Sequence, residues 1–392
     1  MQYCSADFLA AMKSPIKQMY LKFEFYDSNM KYISEYTKQV TNKDSGSISL
    51  DGSRPIRRNF SFKLFNKKNE FNFGENNLIW LDKRVKVFTG FKVKSGIVEY
   101  IPQGVFILTE PEDSHTTEGK ITTLNGQDKM FLCTDRRGKF RTETKIDVGA
   151  NIGSVIKLLA QKVGETLFNF DSVAETVPYT LTYQTSDNIY KAISELAALC
   201  KSEIYYDVNG YLRLRKIDLN EFTQYPPVWS YSYADPSERF YAGNVRKLDE
   251  SNLANRIIVL GGSSQTAECS FEIVVTESNP IWAGHPYSIE KIGEVTYEHN
   301  SGNPDSLLST TDDCKYRAKY ELMNRLGYTE VVSLQISPNF LHEANDVIYL
   351  EDSENSVTGK YLLRSFSLPL TPQLMSCECL KYREVISNWN FI

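Results

Sequence analysis

Apolar and polar residues alternate with a period of two through Met19-Tyr-Leu-Lys-Phe-Glu-Phe-Tyr26 and again through Phe60-Ser-Phe-Lys-Leu64. Successive side chains of a strand point to opposite faces, so this period commits each segment to a half-buried sheet rather than an amphipathic helix. Arg84-Val-Lys-Val-Phe88, Ile101-Pro-Gln-Gly-Val-Phe-Ile-Leu108 and Lys120-Ile-Thr-Thr-Leu124 extend the pattern, and Asp44-Ser-Gly-Ser47 and Asp51-Gly-Ser53 supply turns. Residues 1–149 therefore read as an antiparallel β domain, and closure into a barrel would remove its open edges.

The period changes near residue 150. Ile152, Val155, Ile156, Leu159, Ala160 and Val163 recur at helical spacing, with Asn151 placed to cap the first turn and Gly164 to stop the last. Ile189, Ala192, Ile193, Leu196, Ala197 and Cys200 repeat that spacing after the cap candidates Ser186 and Asp187. Ile204 to Arg215 then reads as a hairpin turning at Asn209-Gly210, a pair suited to a type I′ turn. Residues 150–250 form a small inserted α+β domain whose last strands are free to rejoin the first barrel.

From 251 to 392 strands return. Arg256 to Leu260 and Phe271 to Thr276 flank Gly261-Gly-Ser-Ser264, which reads as a flexible link, and a polar insertion occupies 264–310. Thr311-Asp-Asp313 opens a helix carrying Cys314, Ala318, Leu322 and Leu326 on one stripe, stopped by Gly327. Glu330–Ile336, Asp346–Leu350, Gly359–Phe366 and Leu374–Tyr382 complete a C-terminal β domain, with Trp389 and Phe391 as closing aromatics. The fold class is α+β, mainly β: two β-barrel-like domains with a small α+β insert.

Bulk composition narrows the function. The 392 residues carry 44 Lys+Arg against 49 Asp+Glu, a net charge of −5, and 12% aromatics, an ordinary globular balance rich in material for sheets and contact surfaces. Residues 1–100 hold 17 basic and 10 acidic residues, and 101–392 hold 27 and 39, so the N-terminal part suits an anionic neighbour. Dense basic runs are confined to Arg54-Pro-Ile-Arg-Arg58 and Lys67-Lys68, which argues against a dedicated nucleic-acid binder. No segment approaches the roughly 20 apolar residues of a membrane span, so no stable membrane insertion is expected, and Asp7 interrupts any signal-peptide core. Seven scattered cysteines read as reduced thiols filling cores.

A search for chemistry returns little. Gly261-Gly262 lacks the remaining glycines of a phosphate loop, and Cys377, Cys379 and Met375 share one strand face, where packing is favoured over a metal. His115, His285, His299 and His342 sit near loop residues without a hydrolase motif, although a triad assembled in space stays open. Glu110-Pro-Glu-Asp113 and Glu351-Asp-Ser-Glu354 read as solvated acidic turns, and the Asn59-Phe-Ser61 sequon carries no meaning without export. No catalytic, cofactor-binding or metal residue is assigned. The expectation is a non-enzymatic assembly component that works through surfaces.

Several short patterns recur in order: Gly104-Val-Phe106-Ile-Leu108, Asn125-Gly126-Gln-Asp128 with Leu132, the helix at 186–201 leading to Asn209-Gly210, and Ala254 to Gly261. The helix at 312–326, Asn345-Asp346-Val-Ile348 and Gly359-Lys-Tyr361 to Ser365 follow. Together they resemble the baseplate hub, or tail hub, proteins of tailed bacteriophages and related contractile injection systems. Asn345 stands where such proteins often carry Gly, and 264–310 is longer than a minimal hub needs. The resemblance implies a homotrimer whose two barrels per chain make a pseudo-sixfold ring. Its implied partners are a tail tube or distal tail protein, a tip or spike protein, and other baseplate proteins that meet the insert. It further implies a virion location, assembly in the host cytoplasm, and a neutral or negative lumen that DNA only traverses. With the chain ending at Ile392, any lytic domain is expected on a separate chain. The competing expectations are a tail-associated cell-wall glycosidase or peptidase, or a carbohydrate-binding receptor module.

Overall fold

A computed structural model of the chain describes all residues except 15–16, 42–44, 67, 118, 135–136, 218, 220–224, 236–237, 239–242, 264–265, 382, 384 and 386–392. Asp44, Lys67, Ser264, Tyr382, Trp389 and Phe391 lie outside the described residues. A short helix, α1 (Ala6–Lys13), precedes seven strands: β1 (Met19–Tyr26), β2 (Tyr32–Gln39), β3 (Ser45–Asp51), β4 (Arg58–Phe65), β5 (Arg84–Lys92), β6 (Val98–Thr116) and β7 (Gly119–Asp128). They pair antiparallel in the order β3-β4-β7-β6-β5-β1-β2. Three strands separate β1 from β4 in that order, yet the Phe23 ring of β1 lies 5.9 Å from Phe60 and 5.3 Å from Phe62 of β4. The sheet therefore curls until its inner face meets itself, a barrel-like form. Helix α1, unmarked in the sequence because only Phe8 and Met12 are buried, starts at the Ser5 cap and sets Phe8 5.4 Å from the Phe91 ring.

Glu110-Pro-Glu-Asp113 is not a turn. It lies within β6, where pairing with β7 shifts between Thr109 and Glu112 and Glu110 takes φ +46°. Pro111 has no N–H for the ladder, so the extra residue is expelled as a bulge and the strand continues beyond it.

The insert holds β8 (Thr144–Ile146), α2 (Ile152–Gln161), β9 (Phe168–Phe170), β10 (Leu181–Tyr183), α3 (Ile189–Leu199), β11 (Ser202–Tyr206) and β12 (Leu212–Lys216). Ile156 and Leu159 of α2 share a core with Ile193 and Leu196 of α3 and Leu212 and Leu214 of β12. Asn151 caps α2 as expected. The cap of α3 is Asn188 rather than Ser186 or Asp187: its Oδ1 accepts the Lys191 N–H at 2.8 Å, while Asp187 closes the preceding turn on the Gln184 N–H. The β11–β12 connection is also not a type I′ turn. Strand pairing ends at Tyr206 and Leu212, leaving five loop residues of which only Gly210 has positive φ. The Asp207 carboxylate accepts the N–H groups of Asn209 and Tyr211, and this side-chain turn displaces the tighter one.

The remaining strands are β13 (Trp229–Ser232), β14 (Asn244–Leu248), β15 (Arg256–Ser263), β16 (Thr266–Val274), β17 (Thr296–Glu298), β18 (Glu330–Ile336), β19 (Asp346–Asp352), β20 (Val357–Pro369) and β21 (Met375–Lys381), with helices α4 (Ile289–Ile292) and α5 (Thr311–Leu326). Gly261-Gly262 belongs to β15 rather than to a link: Gly261 pairs with Cys269, and a register shift absorbs Gly262. Helix α5 covers the β16-β15-β17 sheet and begins with a reciprocal Thr310–Asp313 capping box, one residue before the expected start.

Strand β20 decides the architecture. Val357 to Leu363 pair with β19, and Ser365 to Pro369 pair with β3. The other edge of β20 pairs with β21, so both β-rich parts enter one 13-stranded sheet, and their inner faces share one core that includes Phe23, Phe62, Leu334, Tyr361 and Met375. The α+β, mainly β class read from the sequence is borne out.

Phe23 is wholly buried. Phe23→Ala is expected to cost about 3–5 kcal/mol in urea unfolding, whereas Leu158→Ala, on the exposed face of α2, should change stability by less than about 1 kcal/mol.

Candidate functional site: a buried charged junction and a polar sheet face

Asp128 closes β7 and is buried. Its two carboxylate oxygens accept the Arg58 and Met130 N–H groups, both at 2.9 Å, capping the 3-10 turn Lys129–Cys133. Burial outweighs those bonds and holds its carboxyl above the ordinary range. The buried Arg58 guanidinium donates to the Tyr206 carbonyl at 2.8 Å and to the Glu343 carboxylate. Gly104 (φ +145°) lies beneath it, where a Cβ would sit 3.2 Å from Arg58 Cδ and 2.8 Å from the Phe106 ring. Phe106 lies against Gly126 and 5.2 Å from the Phe60 ring.

Lys129 Nζ donates to Glu165 at 2.9 Å and to the Gly210 carbonyl at 3.0 Å, with both charged side chains buried. Glu165 also accepts the Thr166 and Leu167 N–H groups. Gly210 (φ +80°) permits the approach, since a Cβ there would stand 2.9 Å from Val105. Gly104, Phe106, Gly126, Asp128 and Gly210 thus meet where the insert hairpin docks on the first sheet. Asn209 lies at the rim, accepting from Lys86 Nζ at 2.9 Å. Arg58 was marked only as part of a basic run, and Lys129, Glu165 and Glu343 had no mark in the sequence, because each is a single charge far along the chain from its counterpart.

Asp346 stands at the start of β19. It accepts from His342 Nδ1 and the Glu343 N–H, both at 3.0 Å, and also meets the Met1 amine. Burial pushes its carboxyl up, but His342 and the amine overcome this and hold it below the ordinary value. His342 Nε2 lies 2.9 Å from the Tyr231 hydroxyl, which in turn accepts from Asn339. The four groups tie β13 to the turn before β19, and Tyr231 and His342 are only 4% and 2% exposed. Asn345 adopts φ +67°, a conformation Asn tolerates, so it fills the glycine-like position without a glycine. Gly359 sits opposite Leu350 in the β19–β20 ladder, away from the junction, and Tyr361 donates to Glu330 at 2.9 Å inside the C-terminal strands.

Residues with chemical potential are absorbed by packing. Met375, Cys377 and Cys379 lie in the shared core, where burial pushes both thiols well up. Burial holds the His285 ring below its ordinary value, and His299 Nε2 bonds Asp305 at 2.8 Å. Among the described residues no group of three or more His, Cys, Asp or Glu side chains is arranged to hold a metal ion.

The sheet has a second face. Gln335, Ser376, Ser367, Ser49, Asn59 and Gln127 stand opposite one another in register across β18, β21, β20, β3, β4 and β7. Their strand neighbours Leu334, Cys377, Phe366, Leu50 and Phe60 point into the core. A second row, Ser47–Ser61–Asn125–Thr109, runs beside the first. This six-strand row consists of small or amide side chains without a charge, beneath a trough of about 620 Å³. Arg54 and Asp51 at its margin pair at 3.0 Å, and Glu378 also lines the trough. The sheet path ends at β2 and β14, where Tyr32, Ile33, Val245 and Leu248 are 51%, 43%, 68% and 61% exposed.

No family model matches the sequence, and no curated protein matches it. Solved structures do. A tail protein from Neisseria meningitidis MC58 aligns over 94% of this chain and 98% of its own, with TM-score 0.63 and 10% identity. The 43 kDa tail protein of prophage MuSo2 from Shewanella oneidensis aligns over 92% and 98%, with TM-score 0.60 and 10% identity. The chain has the fold of these tail proteins. A chain of the Francisella PdpA–VgrG complex shares this tail-protein fold over 95% of the present chain but 59% of its own, with TM-score 0.55 and 10% identity. The resemblance read from the sequence is borne out as a shared fold, at an identity where only the order of elements persists.

Two measurements test the buried ions. Lys129→Met strands the Glu165 carboxylate and is expected to cost about 3–5 kcal/mol in urea unfolding. Glu330 accepts from Arg246 at 2.7 Å and from Tyr361; burial pushes its carboxyl up, and these bonds pull it below the ordinary value. A lowered folded value stabilises above the unfolded pKa of about 4.3 and loses that contribution as pH falls through the folded pKa. Glu330→Gln should therefore destabilise at pH 7 and narrow its gap to the parent on acidification.

Proposed function

We propose that this chain is a structural component of a phage or phage-like tail, acting as a trimeric hub between a hexameric tail tube or distal tail protein and a threefold tip or spike. The carrying observation is the sheet that unites both β-rich parts and presents an uncharged row across six strands. A wall facing passing DNA must not retain phosphate, and these rows of Ser, Thr, Asn and Gln carry no cation, Lys63 standing one row beyond them. The shared tail-protein fold supports the same reading.

In this reading residues 1–149 and 251–392 are two barrel-like tube domains and 150–250 holds the insert that meets other baseplate proteins, with β13 and β14 of that span pairing β19 and β18 of the C-terminal part. The separate core around α2 and α3 supports setting the insert apart. Three chains with two barrel-like parts each supply six quasi-equivalent positions, which reconciles threefold and sixfold neighbours. Gly104, Phe106, Gly126, Asp128 and Gly210 fix how the insert docks; Asp346 and Tyr361 set the C-terminal strands. The site of action is the virion tail, assembled from chains made in the host cytoplasm, and the work is done without enzymatic activity.

Mass in solution, with particle imaging, tests the assembly: three copies of the 44.9 kDa chain in a ring with a central hole are expected. A stable monomer that also fails to form rings with tube and spike components overturns it. The lumen assignment has its own test. Ser49→Lys with Ser376→Lys should leave thermal unfolding nearly unchanged yet give the assembled ring salt-sensitive DNA retention. Unchanged DNA behaviour in the ring removes this face from the channel.

A further inference from the structure

Cys269 and Cys314 form the one sulfur–sulfur contact in hydrogen-bonding geometry among the described residues, with Sγ atoms 3.4 Å apart. Cys269 lies on β16, partly exposed, and Cys314 lies in the first turns of α5, fully buried. Both are free thiols. The pair stands where α5 packs over its sheet, beside Ala318 and Leu322. Across the ladder, Gly261 has no side chain to crowd the pair: a Cβ there would lie 2.8 Å from Cys269 Sγ. Forming a bond requires the sulfurs to close from 3.4 Å to about 2.05 Å.

We propose that Cys269 and Cys314 are a dithiol modification site, oxidised by small-molecule disulfides to an intramolecular bridge that locks α5 onto β16. The inference stands apart from the tail-hub reading and rests on neither the trimer nor the channel. Cys269, the accessible sulfur, attacks the external disulfide as thiolate. One sulfur of the reagent joins Cys269 and the other leaves as a thiolate that takes up a proton. Cys314 then loses its proton to solvent base and attacks Cys269 Sγ, expelling the second small thiol. Overall two protein thiols and one disulfide give one protein disulfide and two small thiols. Burial pushes the Cys314 thiol up, so the closing step is the slow one and quickens with rising pH. The product encloses the segment between residues 269 and 314, which includes α4 and β17. Such a bridge stays open in a reducing cytoplasm and closes in an oxidising medium.

The test treats the full native chain with oxidised glutathione and follows intact mass, thiol count under denaturing conditions, and peptide mapping. The expected result is a loss of about 2 Da, disappearance of two of the seven thiols, and a mapped 269–314 bridge. Cys314→Ala should stop at a glutathione adduct on Cys269, heavier by about 305 Da, and Cys269→Ser should not react at this site. The closing rate should rise about tenfold per pH unit between pH 7 and 9. Seven remaining thiols, a persistent adduct on the parent chain, or a bridge mapped to another pair overturns the proposal. Mapping on the parent chain decides the matter even where a variant fails to fold.

Discussion

The pairing of β20 with β3 is the constraint on which the rest of the structure depends. Residues some three hundred positions apart are matched strand to strand, and each alternates core and surface with period two. A slip of one residue would turn Phe366 and Leu368 outward and bring Ser365 and Ser367 into the core. Ile48 and Leu50 impose the same parity from the other side. The register is therefore fixed by burial on one face, and the uncharged row on the opposite face follows from it without further specification.

The insert is held differently. Its hairpin meets the first sheet through Lys129–Glu165, Arg58 and Asp128, which are ions taken out of water. Such contacts add little net stability compared with apolar packing, but any displaced arrangement leaves a charge without a partner. The penalty for misplacement is what orients the insert. Gly104 and Gly210 complete the arrangement by letting backbone approach where a side chain would not fit.

The proposed surface-driven role agrees with where polarity lies in this molecule. Buried polar groups join distant elements in the Tyr231–His342–Asp346 series. The broad exposed features are a charge-poor sheet face and two sheet edges with apolar side chains at β2 and β14. Open edges of this kind invite pairing with another chain, whereas the uncharged face does not favour adhesion of an anion.

Much of the local structure was legible in the sequence. The alternation at Met19–Tyr26 and Phe60–Leu64, the helical stripes of α2, α3 and α5, and the Asn151 cap all appear where the pattern places them. These features are encoded within a few residues by periodicity and side-chain hydrogen bonding. The five-residue loop at Asp207, the bulge at Glu110 and the absorption of Gly262 into β15 escaped, because each depends on how a partner strand takes up the chain. What the sequence by itself determined is which segments are strands and helices and which face of each is apolar. Only the tertiary structure decided that β20 divides its edge between β19 and β3, which charges are buried together, and that scattered serines align into one surface. Those outcomes depend on register and packing between distant segments, and no local window contains that information.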